Sequence, residues 1–167
     1  MAPWLALKAL HLLAGVYWVG AGVVSAMFLL PSARAAGPAA GPMMRQIVAV
    51  RRFPLTVTIM SFVTVITGMG LLAHVTLGFQ PEQFRGFHRS ALSIGILAAL
   101  IAFVFGLAVQ MPAGLKLTAV TSAIQGAPTP EQLAGMEALQ KRLHAAGRLS
   151  AWLLIVALLG MAMAHPV

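Results

Sequence analysis

The sequence predicts an all-α integral membrane protein, a bundle of four helices crossing the bilayer as a single domain, and three observations carry that expectation. Hydrophobic residues make up 60% of the chain, charged residues only 8%, and mean hydropathy is +0.92. Uncharged apolar runs of about 18 residues or more recur along it, the pattern of segments that cross a ~30 Å hydrocarbon core rather than of a buried globular core. The 167 residues leave room for four such crossings joined by short loops, and no intervening stretch is long or mixed enough for a second domain.

The first run extends from Trp4 to Leu30 and is closed by Pro31. Lys8 ahead of an apolar stretch and the small residues Val24-Ser25-Ala26 imitate a secretory signal, but the run is too long for one and carries His11, Tyr17 and Trp18. Loop one follows, with the breaker-rich Gly37-Pro38-Ala39-Ala40-Gly41-Pro42 and then Met43 to Arg52, a short amphipathic stretch suited to anionic headgroups. The second crossing spans about 53–77. Loop two, Gly78 to Gly86, is brief, and Pro81-Glu82 marks a helix start that extends the third crossing, about 87–110. In loop three Thr129 is an N-cap and Pro130 a first helical residue, opening a helix that runs toward the fourth crossing, about 143–164.

Four crossings put Lys8, Arg85 and Arg89 on the side of both termini and Arg34, Arg45, Arg51, Arg52, Lys116, Lys141, Arg142 and Arg148 on the other, three against eight. The positive-inside rule then places loops one and three in the cytoplasm and both termini on the outer side, the periplasm for a bacterial inner-membrane protein. Topology thus accounts for the net charge of +8. A nucleic-acid partner is not expected, because the charges are scattered over loops with little aromatic interleaving and no recognition motif.

Elimination narrows the chemistry. The chain has no cysteine and no aspartate, and Glu82, Glu131 and Glu137 all fall in loops. Thiolate metal sites and a carboxylate proton path through the membrane are excluded, as are nucleotide-binding loops and hydrolase elbows, whose motifs are missing. What remains is imidazole and thioether. His11, His74, His88 and His165 fall near one end of four different apolar segments, so a bundle would bring them to one membrane level. An ionisable residue at membrane depth is a functional-site hypothesis because lipid offers it no partner. His11 stands roughly 10 Å along its helix from Trp4, on a face continued by Gly15, Trp18 and Gly22; His88 is followed on its face by Gly95 and Ala99. Small residues beneath a histidine leave room for something flat, although such stripes also mark where membrane helices pack closely. His144, on the cytoplasmic side, reads as interfacial. The ten methionines are scattered apart from Met43-Met44 and Met161-x-Met163, and read mainly as core filling.

The opening Trp4-Leu-Ala-Leu-Lys-Ala-Leu-His11, continued by Trp18-Val-Gly20 and Leu30-Pro31, resembles the first helix of the membrane superfamily that includes the copper-resistance protein D domain and the HemJ-type protoporphyrinogen oxidases. Arg51-Arg52 before the second crossing, Thr67-Gly68 within it and Phe87-His88 opening the third are similar in outline. The resemblance implies one b-type haem, or a copper ion, near the outer face, with His11 as first ligand and His88 as second; His74 and His165, at the same end of their segments, are the alternates. Ser90 stands where HemJ-type enzymes carry a lysine, and Gly147-Arg148-Leu149 lacks their asparagine–glutamate pair. Those departures point to binding rather than porphyrinogen oxidation.

The expected function is accordingly a haem b protein of electron-transfer or redox type, exchanging electrons with a quinone or a partner complex, alone or as an oligomer. A copper transport or tolerance protein using the outer histidines with Met27, Met161 and Met163 is the first alternative. A structural subunit of a respiratory or photosynthetic complex is the second. The charge bias makes the orientation testable: a periplasm-dependent reporter fused after Val167 should be active and one inserted near Pro38 inactive, whereas the reverse pattern refutes the outward-facing termini.

Overall fold

The computed structural model describes residues 3–76, 87–124 and 128–163, except for the side chains of Pro38 and of residues 87–90. Within them the chain is helical, without a strand, in the order α1 (Pro3–Val24), α2 (Leu30–Ala36), α3 (Gly41–Arg45), α4 (Phe53–Val75), α5 (Phe87–Phe105), α6 (Met111–Ala123) and α7 (Pro130–Ala162). Four helices are long and apolar enough to cross a membrane: Pro3–Ala36, Phe53–Val75, Ala91–Ala123 and Pro130–Ala162. The helix start that Pro81-Glu82 suggests lies outside the described residues.

Two of these helices run past their expected ends, the first past Pro31 and the third past residue 110. Between α1 and α2 the five residues Ser25–Leu29 form a π-turn, and Leu30 N–H reaches back to Ser25 O; between α5 and α6 Gly106–Gln110 does the same, with Met111 N–H on Gly106 O. Pro31 and Pro112 follow directly. A proline ring collides with the carbonyl four residues back in a regular helix. A turn widened to five residues moves that carbonyl aside, so the helix continues to Ala36 or Ala123. Both devices stand 81 residues apart in sequence, so the chain is built as two similar hairpins.

Loop one is more ordered than its glycines and prolines suggest. A 3-10 turn over Gly37–Ala40, then α3 and a π-turn over Gln46–Val50, fill it between two left-handed corners, Gly37 at φ 56° and Arg52 at φ 51°. Glycine takes that conformation without a Cβ penalty; arginine does not, and Arg52 turns the chain directly into α4. At α7 the predicted cap is present: Thr129 Oγ1 accepts from Gln132 N–H at 3.3 Å and Gln132 Oε1 accepts from Thr129 N–H at 2.9 Å, with Pro130 opening the helix. From there α7 runs unbroken for 33 residues.

The helices associate as α1 with α4 and α5 with α7, and the two pairs join chiefly through α1 and α7. Lipid is as apolar as leucine, so close packing must hold such helices together. Glycine makes it possible at α5 and α7, where a Cβ on Gly160 would fall 2.6 Å from Ala91 O and one on Gly95 would fall 3.0 Å from Ala157 O. At α1 and α7, Gly22 lies under Leu154 and Gly147 faces Ala26 and Leu30. Trp18, Ala102 and Leu154 form the middle of the packing, with Phe103 edge-on to both Trp18 and Phe62 at centroid distances of 6.3 and 4.9 Å. Toward the basic end, Gln110 Nε2 donates across the α5–α7 pair to Ser150 Oγ.

A methyl group at the tightest crossing has nowhere to go. Gly160→Ala should therefore lower the free energy of unfolding in mixed micelles by about 1–3 kcal/mol. Gly20→Ala, whose Cβ would meet nothing within 4 Å, should change it by no more than about 1 kcal/mol. Equal effects at both positions would show that the α5–α7 contact is not the tight one.

Candidate functional site around His11

The second crossing reaches His11 through a polar stripe. Ser61, Thr64 and Thr67 are buried on the face of α4 toward α1, and each hydroxyl donates back along its own helix: Ser61 to Thr58 O, Thr64 to Met60 O and Thr67 to Val63 O, at 2.6–2.7 Å. Their protons are thereby committed. The oxygens, and the backbone carbonyls beside them, remain available as acceptors for a donor on α1.

His11 is that donor. Its Nδ1 lies 2.9 Å from Thr64 O and 3.2 Å from Thr67 Oγ1. A carbonyl only accepts, so Nδ1 carries the hydrogen and, in the neutral ring, Nε2 keeps its lone pair. Gly68 lets the imidazole lie this close: a Cβ there would stand 2.8 Å from His11 Cε1 and 3.3 Å from Nδ1. Thr64, Thr67 and Gly68 thus fix the ring plane, its tautomer and its depth. Fixing one ring nitrogen through a carbonyl is the arrangement that orients a histidine to ligate a metal through the other.

The remaining candidate residues are placed differently. Gly15 faces Thr64 Cγ2 at 3.6 Å, Gly95 faces the backbone of Ala157, Gly160 and Met161, and Trp18 is enclosed by Phe103 and Leu154. The faces of Gly15 and Gly95 therefore hold neighbouring helices, and the flat slot expected between them is filled by close helix packing. His74 is also displaced from its expected level. Its ring stacks on Trp4, centroids 6.2 Å apart and planes 16° apart, which sets it roughly 10 Å outward of His11 along α1. As an alternate ligand at the His11 position it is too far out.

His88 lies in the first turn of α5, its side chain outside the described residues, and His165 is itself outside them. The height of His88 follows from packing. Gly22 of α1 meets Leu154 of α7, and Gly160, six residues further along α7, meets Gly95 of α5. Gly95 is thus level with about Val16, and His11 with the stretch from Ser90 to Leu92, which leaves His88 within about one turn, ~5 Å, of His11 in height. His144 is half-buried, and its Nδ1 is without a hydrogen-bond partner among the described residues. Met27 sits one residue from Ala26, which packs on Gly147, some 14 residues or ~21 Å along α7 from Met161. The methionines expected to act together therefore stand at opposite ends.

Among the described residues, no group of three or more His, Cys, Asp or Glu side chains converges to hold a metal ion. No protein-family model, curated protein or solved structure matches this chain.

Sequence reasoning misses Thr64, and names Thr67-Gly68 only for the outline of the second crossing and not as partners of His11. A signal is present, since hydroxyl residues at 61, 64 and 67 repeat at helical spacing along α4. The contact predicts a measurable coupling. In a double-mutant cycle, His11→Ala and Thr67→Val should couple by about 0.6 kcal/mol, the scale of hydrogen bonds between membrane helices. Additive effects would show that the two side chains do not interact.

Proposed function

We propose that this chain is a multi-pass protein of a bacterial inner membrane, its four helices bundled across the bilayer with both termini outside, and that it holds a b-type haem through His11 for electron transfer. The observation that carries the proposal is the bond from His11 Nδ1 to Thr64 O at 2.9 Å, which leaves Nε2 as the nitrogen that can ligate. An imidazole at this depth, held by three residues of another helix, is more constrained than an incidental interfacial histidine needs to be. The donor chemistry fits a histidine ligand to haem iron, and His88 at the α5 end, within about one turn in height, would supply a second.

When bound, haem supplies a one-electron couple whose potential follows from the axial ligands and their hydrogen bonds. The chain's own residues do the rest. Thr64 O makes the His11 ring a stronger donor by accepting its Nδ1 hydrogen, and Thr67 with Gly68 prevents the ring from turning. Trp18, Phe103 and Leu154 pack together between the helices on the side of His11 toward the basic end. With no aspartate in the chain and glutamate only at 82, 131 and 137, the apolar stretches around His11 contain no carboxylate to move a proton along with the electron. That favours simple electron exchange with a quinone or a partner complex over a proton pump.

The copper reading loses its thioether set, because Met27 and the pair Met161 and Met163 stand at opposite ends. The structural-subunit reading loses its motive at Gly15, Gly95 and Gly160, whose small faces are used within the chain. Purified from membranes, the protein should show a Soret band that His11→Ala abolishes or severely weakens, while His74→Ala and His144→Ala leave it unchanged. A His11→Ala preparation with full haem content and an unshifted spectrum would defeat the assignment.

A further inference from the structure

The basic end of the molecule carries a second feature, unrelated to His11. No aspartate or glutamate occurs before Glu82, so loop one contains Arg34, Arg45, Arg51 and Arg52 without an acid of its own. Arg34 reaches across to Glu137 at 3.8 Å, and Glu137 is shared with Lys141 at 3.0 Å. Among the described residues, Arg45, Arg51 and Arg52 pair with no carboxylate, and all three are exposed. They are not strung on a loose loop. Arg45 and Gln46 line a cleft of about 560 Å³ together with Gly41, Pro42 and Val50, and the left-handed Arg52 holds the segment at a fixed corner against α4.

The same short segment exposes Met43 and Val50. Guanidinium groups beside exposed aliphatic side chains, at the end of helices sized to cross a bilayer, match the boundary where phosphate gives way to acyl chains. We propose that Gly41–Arg52 binds the headgroups of anionic phospholipids. The Arg45 guanidinium and the Gln46 amide grip phosphate at the cleft, Arg51 and Arg52 add attraction along its edge, and Met43 and Val50 enter the acyl region. The diester phosphate of a lipid is favoured over a free anion because the apolar pair has no use in binding a soluble one. This rests on the membrane-insertion part of the proposed function and not on haem.

The test uses the purified full chain in nanodiscs of phosphatidylcholine containing a minority of phosphatidylglycerol, with retained lipid counted by native mass spectrometry after release into detergent. The variant Arg45→Gln, Arg51→Gln, Arg52→Asn removes three charges from exposed positions, asparagine being tolerant of the left-handed corner. Its control, Lys116→Gln, Arg142→Gln, Arg148→Gln, removes as many charges elsewhere on the same end. The loop-one variant should lose retained phosphatidylglycerol by at least about tenfold and the control by less than about twofold. Equal losses would show a diffuse charge effect and overturn the proposal, as would no loss. Displacement of the lipid by ~10 mM inorganic phosphate would overturn it in favour of a soluble-anion site. Failure of the unmodified protein to enter nanodiscs would refute the membrane reading itself, and the proposal with it.

Discussion

A histidine at the ninth residue of an apolar helix destabilises that helix in lipid unless its ring is given partners, and α4 is built to provide them. The bond from His11 Nδ1 to Thr64 O ties α1 to α4 at a set depth, and much else follows from it. Gly68 must be glycine because any Cβ would press into the ring, and Thr67 must direct its own proton to Val63 O so that its oxygen can face His11. Leu7 on Gly70 and Gly15 on Thr64 then fall into register on either side. Further along the pair, Tyr17 bonds Thr56 Oγ1 at 2.9 Å, and Thr56 donates to Phe53 O, so its hydroxyl oxygen accepts from the tyrosine. The first hairpin is thus zipped by polar contacts whose hydrogens all have destinations, which is what low-dielectric surroundings demand.

The second hairpin is held by a different means. Where α1 and α4 exchange hydrogen bonds around the imidazole, α5 and α7 bring backbone against backbone at Gly95 and Gly160, with the Gln110–Ser150 bond toward the other end. Both hairpins share the π-turn, ahead of Pro31 in one and Pro112 in the other. Similar architecture with dissimilar glue leaves the first hairpin, among the described residues, with an imidazole hydrogen-bonded between its helices. In the second, the position corresponding to His11 is Leu92.

The four apolar helices are legible in the sequence because uncharged hydrophobic runs of this length are rare outside bilayer-spanning segments. The α7 start is legible because Thr129, Pro130 and Gln132 are a local signature, and the depth of His11 because it is a count along one helix. What the sequence conceals is tertiary. Pro31 looks like a helix end because a proline clashes in a regular turn, and nothing local announces that Ser25–Leu29 will widen to relieve it. Gly15 and Gly95 look like walls of an opening, yet glycine leaves the same space for a ligand or for another helix. Only the partner decides, and here the partners are Thr64 and the α7 backbone. The four-histidine level fails in part because His74 belongs to the edge that Trp4 marks, two turns away from Gly68.

Everything proposed for the site depends on which nitrogen of His11 carries the hydrogen. With the protein labelled at histidine nitrogen and reconstituted in bilayers at neutral pH, the ¹⁵N spectrum separates protonated from unprotonated ring nitrogens, and comparison with His11→Ala assigns the signals. The expected result is a neutral His11 with Nδ1 protonated and Nε2 bare, and an Nε2 signal that shifts or broadens when haemin is added. A His11 protonated at Nε2 and bare at Nδ1, indifferent to haemin, would contradict both the contact with Thr64 and the function built on it.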